Sequence, residues 1–226
     1  MSMFCFQCQE TAKNQGCTVR GVCGKTADVA NLQDLLIWLL KGVSFYGVRA
    51  GELGISDPET DLFVAQALFA TITNANFDPQ RFVALANKAI VLRDRLKAQI
   101  TEVPQGPLPE MAIWAPETGD LEELIQKGAT VGVMSDPDLD EDIRSLRELL
   151  TYGLKGLAAY ADHAYVLEHY NDALLAFLQE ALLATTDERA SADDMVGLVL
   201  KCGEMGVQAM ALLDQANTST YGNPEP

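Results

Sequence analysis

Two stretches of this 226-residue chain repeat one another at a fixed offset of 114 residues. Leu32, Leu35, Leu36, Leu40, Lys41 and Gly42 recur as Leu146, Leu149, Leu150, Leu154, Lys155 and Gly156. Tyr46 recurs as Tyr160 and Ala50 as Ala164. Further on, Ala67, Leu68, Ala70 and Thr71 recur without a gap as Ala181, Leu182, Ala184 and Thr185. A shared offset of this length marks two copies of one structural unit, and it constrains the fold more than any single motif.

Each copy carries three helical patterns. In the first copy, Leu32, Leu35, Leu36, Leu39, Val43 and Tyr46 follow helical spacing. A second helix runs from Pro58 to about Thr73, with Ala65, Leu68, Phe69 and Ile72 on one face. A third carries Phe82, Leu85, Ala89, Leu92, Leu96 and Ile100. Asp57-Pro58 and Asp78-Pro79 are sound starts, because Asp accepts an orphan N–H and Pro fits the first helical position.

In the second copy the first helix is lined by Leu146, Leu149, Leu150, Leu154, Leu157 and Tyr160, and the second by Leu174, Leu178, Ala181 and Leu182. The third begins near Ser191, where Asp194 completes a box-like cap. It continues through Val196, Val199, Leu200, Gly203, Val207 and Met210, and Gly203 and Gly206 allow a neighbour to approach closely.

The expected fold is therefore all-α: two tandem three-helix bundles behind an N-terminal cysteine-rich loop. The boundaries read as 1–26 for the cysteine segment, 27–102 and 142–216 for the bundles, 103–141 for a proline-rich linker and 217–226 for an extended exit. Within the linker, 120–127 reads as a helical turn and 130–134 as a short strand. The longest apolar run, residues 35–40, is far shorter than the roughly 20 residues needed to cross a bilayer. The N-terminus shows no secretory pattern, so the expected location is the cytoplasm. A net charge of −16 argues against nucleic acid or anionic membrane as a partner.

Four of the five cysteines, Cys5, Cys8, Cys17 and Cys23, fall in one 19-residue window with the spacing C-x2-C-x8-C-x5-C. Such a set suits metal or redox chemistry in a chain that looks neither small nor secreted. Cysteine thiolates are the usual ligands of [4Fe–4S] clusters, four per cluster. Gly16, Gly21 and Gly24 would supply positive-φ turns and exposed N–H groups for the wrap. Lys13, Arg20 and Lys25 stand against Glu10 alone in residues 1–25, a local balance of +2 beside the −18 of the remainder, and they would offset a cluster's negative charge. Structural zinc also takes four cysteines, and disulfides or reactive thiols remain open on spacing alone. Cys202, in the last helical pattern, reads as a buried inert thiol. His163 and His169 read as surface or capping residues. The segment 51–54 reads as a helix ending, since no Lys-Ser/Thr follows to make a phosphate loop.

Several segments resemble the hybrid cluster protein family, also called hydroxylamine reductases. They are MFCFQCQET at 3–11, GCTV at 16–19, GVCGK at 21–25, NLQDLL at 31–36, FATITNAN at 69–76, RSLRELL at 144–150 and NTSTYGNP at 217–224. The resemblance spans essentially the whole chain. It implies a helical first domain of two three-helix bundles, and it places a [4Fe–4S] cubane on Cys5, Cys8, Cys17 and Cys23, as in the class with short cysteine spacing. It also implies further α/β domains that hold a second, hybrid cluster, where hydroxylamine or nitric oxide is reduced. One cysteine and two histidines beyond the first set cannot replace those ligands. The chain is expected to transfer electrons rather than catalyse alone. Its donor would be a ferredoxin, rubredoxin or reductase, and its other partners the missing domains or a second copy. A non-enzymatic helical module with zinc or redox-sensing cysteines is the alternative.

Overall fold

The computed structural model describes residues 3–100 and 106–225. Pro104 and the end of the exit segment, Pro226, lie outside the described residues. A single 3-10 turn, Ala12–Asn14, interrupts the N-terminal segment. Helices follow: α1 (Ala27–Glu52), α2 (Pro58–Ala70), α3 (Pro79–Gln99), α4 (Glu110–Ile113), α5 (Leu121–Val131), α6 (Glu141–Val166), α7 (Asp172–Ala184) and α8 (Ala192–Tyr221). Among the described residues there is no strand, only an isolated bridge between Cys5 and Cys17. The fold is all-α.

The 114-residue offset carries α1 onto α6 and α2 onto α7 end for end. The caps explain the shared starts. Thr26 accepts from the Val29 N–H, Asp140 from Asp142 and Ile143, and Asn171 from Ala173 and Leu174. Asp57 accepts from Thr60, and Asp78 from Gln80. Ser191 and Asp194 form the reciprocal box expected at the start of α8.

The chain divides into two compact units. The first holds residues 1–56 and 70–139, and the second 57–69 and 140–226. In the first unit α1 packs against α3, α4 and α5. Leu32, Leu35, Leu36, Leu40 and Val43 on α1 are fully buried, as are Phe82, Ala86 and Ala89 on α3. Each such large side chain contributes about 1.5–3 kcal/mol of burial. In the second unit α6 packs on α8 and α7. The helix α2 falls in this second unit, not within the 27–102 segment in which the sequence groups it. Gln179 Nε2 on α7 donates to Asp61 Oδ1 on α2 at 2.7 Å, and Gln66 on α2 to Asp162 on α6 at 3.0 Å.

The linker departs from expectation. The helical turn at 120–127 is a full helix, α5, started by Asp120 as N-cap. No strand forms at 130–134: Thr130 and Val131 end α5, and a turn closed by Ser135 N–H to Gly132 O follows. The short α4 had no periodic signal. The exit segment is also more helical than its composition suggests. The helix runs on to Tyr221, and within this stretch Asn217 Nδ2 donates to Leu213 O and Ser219 Oγ to Ala216 O. Gly222, at φ 84°, ends it.

The second copy buries other faces than expected. Leu149 and Tyr160 on α6, and Val196, Leu200, Val207 and Met210 on α8, are exposed. The buried face of α8 is Met195, Cys202, Met205, Ala209 and Ala216. That helix is apolar on two faces, and periodicity cannot say which one is covered. Gly203 and Gly206 face open space rather than a close neighbour, and with Tyr152, Tyr160 and Met210 they line an apolar groove of about 320 Å³ between α6 and α8. By length and composition α8 could cross a bilayer. The ion pair of Lys201 and Glu204 (3.0 Å) sits in its middle, where charge is costly at bilayer depth.

Candidate metal centre

The cysteine segment is stitched by backbone. Cys5 N–H donates to Cys17 O (3.1 Å) and Cys17 N–H to Cys5 O (2.8 Å). Met3 N–H extends the pairing to Thr18 O. Met3, Cys17 and Ala30 form a small apolar core beneath it, with Cys5, Ala12 and Ala27 against its edge. Thr11 Oγ1 donates to Cys5 O at 3.0 Å and lies 3.8 Å from Cys17 Sγ. Thr73 Oγ1 reaches Gln7 O and ties the segment to the loop after α2.

The backbone wrap is made differently from the glycine-based expectation. Of the three glycines only Gly24 has a positive φ, 94°. Lys13 and Asn14, both at φ 55°, supply the other left-handed residues. Gly16 is needed for space instead, since the Phe4 ring occupies the position of a side chain there. A side chain at Gly21 would press on Cys23 Sγ and Lys25. The N–H donors to sulfur also come from elsewhere: Ala12 and Val22 donate to Cys17. These two bonds outweigh burial and hold the Cys17 thiol below its ordinary pKa, with smaller help from Thr11 and Lys25.

All five cysteines are free thiols. The structure joins Cys5 and Cys17 directly. Cys23 is exposed and closes the turn in which Gly24 N–H meets Gly21 O. Cys8 is half-buried, and its carbonyl accepts from Thr11 N–H. Among the described residues no three His, Cys, Asp or Glu side chains stand together around one metal position. The donor set nevertheless suits an iron–sulfur centre: four thiols on one folded-back segment, N–H donors on one sulfur and a buried ammonium beside another.

Lys25 is that ammonium. It is 2% exposed, and its Nζ lies 2.6 Å from Gln33 Oε1 and 3.7 Å from Cys5 Sγ. Gln33 on α1 is equally buried and donates through Nε2 to Asn76 O at 3.5 Å. Lys13 and Arg20, the other two basic residues, are exposed. Sequence reading missed Thr11 and Gln33. Gln33 sits on the apolar face of α1, and that position was the available signal.

The other candidates fall outside the site. Cys202 is buried under Gly153, and burial pushes its thiol up. His163 stacks edge-on against Phe69, and His169 bonds Leu167 O and Ser219 Oγ. Segment 51–54 is the end of α1, with Gly54 at φ 71°.

A family model described as the Prismane/CO dehydrogenase family matches residues 3–226. The chain belongs to this family. Curated relatives agree. The whole Prismane-family chain aligns at 57% identity with a hydroxylamine reductase of Halothermothrix orenii, covering 41% of that protein. It aligns at 56% with one of Desulfitobacterium hafniense and at 54% with one of Kosmotoga olearia, again over 41% of their lengths. The chain thus spans about two fifths of these relatives.

Proposed function

We propose that this chain is the iron–sulfur electron-transfer domain of a hydroxylamine reductase-type protein. Cys5, Cys8, Cys17 and Cys23 would bind one [4Fe–4S] cluster. The observation that carries the reading is the reciprocal Cys5–Cys17 pairing, because it folds the later cysteine loop back onto the first pair. Family membership supports it.

When bound, the cluster supplies one-electron transfer. The chain's own residues do the rest. Ala12 and Val22 orient and polarise Cys17 Sγ through their N–H groups. The core of Met3, Cys17 and Ala30 keeps water from one side. The exposed Cys23 side is where a soluble donor, such as a ferredoxin, rubredoxin or reductase, would come near. Electrons would pass to a hybrid-cluster part outside this chain, and reduction of hydroxylamine or nitric oxide would belong there. The proposed setting is the cytoplasm.

The test is anaerobic purification with iron, sulfide and zinc counted per chain. About four iron and four sulfide, lost in the Cys17→Ser variant and retained in Cys202→Ser, is the expected result. One zinc without sulfide would overturn the reading in favour of a structural or redox-sensing module. Hydroxylamine reduction by the isolated chain at the rate of a full-length relative would overturn the division of labour.

A further inference from the structure

Lys25 differs in kind from the other basic residues of the cysteine segment. Its ammonium is almost completely buried, and its contacts are one neutral amide oxygen and one cysteine sulfur. No carboxylate accepts from it among the described residues. A buried cation facing only neutral groups is strongly penalised, so its stable neighbour must be negative. On the side away from Gln33 the group in reach is Cys5 Sγ. Gln33 in turn is buried, its Oε1 lies 2.6 Å from Lys25 Nζ, and its Nε2 points to the Asn76 carbonyl at 3.5 Å. A chain of polar contacts therefore runs from Asn76 through Gln33 and Lys25 to Cys5.

We infer that Lys25, latched by Gln33, is the built-in counter-charge of the cluster site and sets its reduction potential. The inference rests on the cluster assignment to Cys5, Cys8, Cys17 and Cys23. A fixed positive charge favours whichever oxidation state is more negative, which is the reduced one. Its effect is large here because the ammonium is shielded from water, where opposite charges attract several times more strongly than at the surface. Lys13 and Arg20 are solvated and screened within about 10 Å at ordinary ionic strength. They cannot act with comparable force, so one lysine out of three basic residues carries the tuning.

The experiment is an anaerobic potentiometric titration of the reconstituted chain, followed by electron paramagnetic resonance of the reduced cluster. Wild type, Lys25→Met, Lys25→Arg, Gln33→Glu, Lys13→Gln and Arg20→Gln are compared, each after an iron and sulfide count. Lys25→Met should lower the potential. At the wild-type midpoint, the ratio of reduced to oxidised cluster should fall about tenfold or more. Gln33→Glu, which keeps the lysine but neutralises it, should shift the same way. Lys25→Arg should restore the wild-type value within a small margin, and Lys13→Gln and Arg20→Gln should leave it in place.

An unchanged potential in cluster-loaded Lys25→Met overturns the inference and leaves the cluster assignment standing. Should Lys25→Met fail to hold a cluster, Gln33→Glu decides, and an unshifted potential there overturns the inference equally. A wild-type chain that takes up no iron and sulfide under reconstitution overturns both the assignment and this inference. Shifts of equal size in Lys13→Gln and Arg20→Gln also overturn it, because they would make the effect a general surface field.

Discussion

Cys5 and Cys17 exchange both of their backbone hydrogen bonds, at 3.1 and 2.8 Å, although twelve positions of sequence separate them. The pairing uses only main-chain atoms and sits on the small core of Met3 and Ala30. The loop therefore has a reason to close before any metal arrives. In the metal-free protein the Cys5 and Cys17 amides should exchange with solvent more slowly than the exposed amides of Val19 and Arg20. Hydrogen exchange followed by mass spectrometry or NMR checks this. Equally fast exchange at all four would mean that the pairing forms only with bound metal.

The glycines separate into two groups with opposite expected effects. A side chain on Gly42 would strike the Met111 carbonyl, and one on Gly128 the Asn31 carbonyl. Backbone cannot swing aside as a side chain can. Gly42→Ala and Gly128→Ala should each cost about 1–3 kcal/mol or more. Gly203 lies mid-helix in open space. There the added methyl meets nothing and the unfolded chain loses freedom, so Gly203→Ala should gain about 0.5–1 kcal/mol. Urea unfolding of the three variants distinguishes the groups, and equal behaviour would contradict the contacts.

The repeat was legible because it rests on local rules. Caps such as Asp78 and Ser191, with 3.6-residue apolar spacing, set where α3 and α8 begin. What those rules omit is which stripe meets a partner. On α8 the residues Leu200 and Val207 and the residues Met205 and Ala209 make two apolar stripes, and only the second is covered. The short α4 was invisible for a related reason: four residues show no period, and its stability comes from elsewhere. At the candidate site the four cysteines were plain from spacing. The partners that hold them, Thr11, Gln33 and the Val22 N–H, depend on how the loop folds back, and no linear pattern encodes that.

Glu123 gives a pH-dependent readout for the start of α5. Its carboxylate accepts from the N–H groups of Glu117, Thr118 and Gly119 and from Thr118 Oγ1. Thr118 and Glu117 lead in holding its pKa down to about 2, against an ordinary value of 4.5. A depressed acid contributes stability that is present above its unfolded value and is lost as pH falls through its folded one. The cap should thus be intact above pH 4.5 and give way as pH approaches 2. Carbon-13 titration of the Glu123 carboxyl checks it. A midpoint near 4.5 would mean that the four donors do not hold the carboxylate in solution.

The four-residue α4 should behave as a dependent element, because a helix this short cannot hold itself. Two side chains from other helices fasten it through three hydrogen bonds. Arg93 on α3 donates through Nη1 to Met111 O at 3.2 Å and Trp114 O at 2.7 Å, while Tyr46 on α1 donates its hydroxyl to Ala112 O at 3.2 Å. Arg93 and Tyr46 are both fully buried, and so are Met111 and Ala112, so the carbonyls of those two residues have no water to turn to. Tyr46→Phe removes one neutral bond and should cost about 1 kcal/mol. Arg93→Met strips two carbonyls at once and should cost about 3 kcal/mol or more. The two sites act on neighbouring carbonyls of one short segment, so their effects should not add. Once Arg93→Met has loosened α4, Tyr46→Phe should cost less than it does alone, a coupling readable in a double-mutant cycle by urea unfolding. Strict additivity would mean that Arg93 and Tyr46 stabilise separate parts of the first unit and that α4 is held by its own packing.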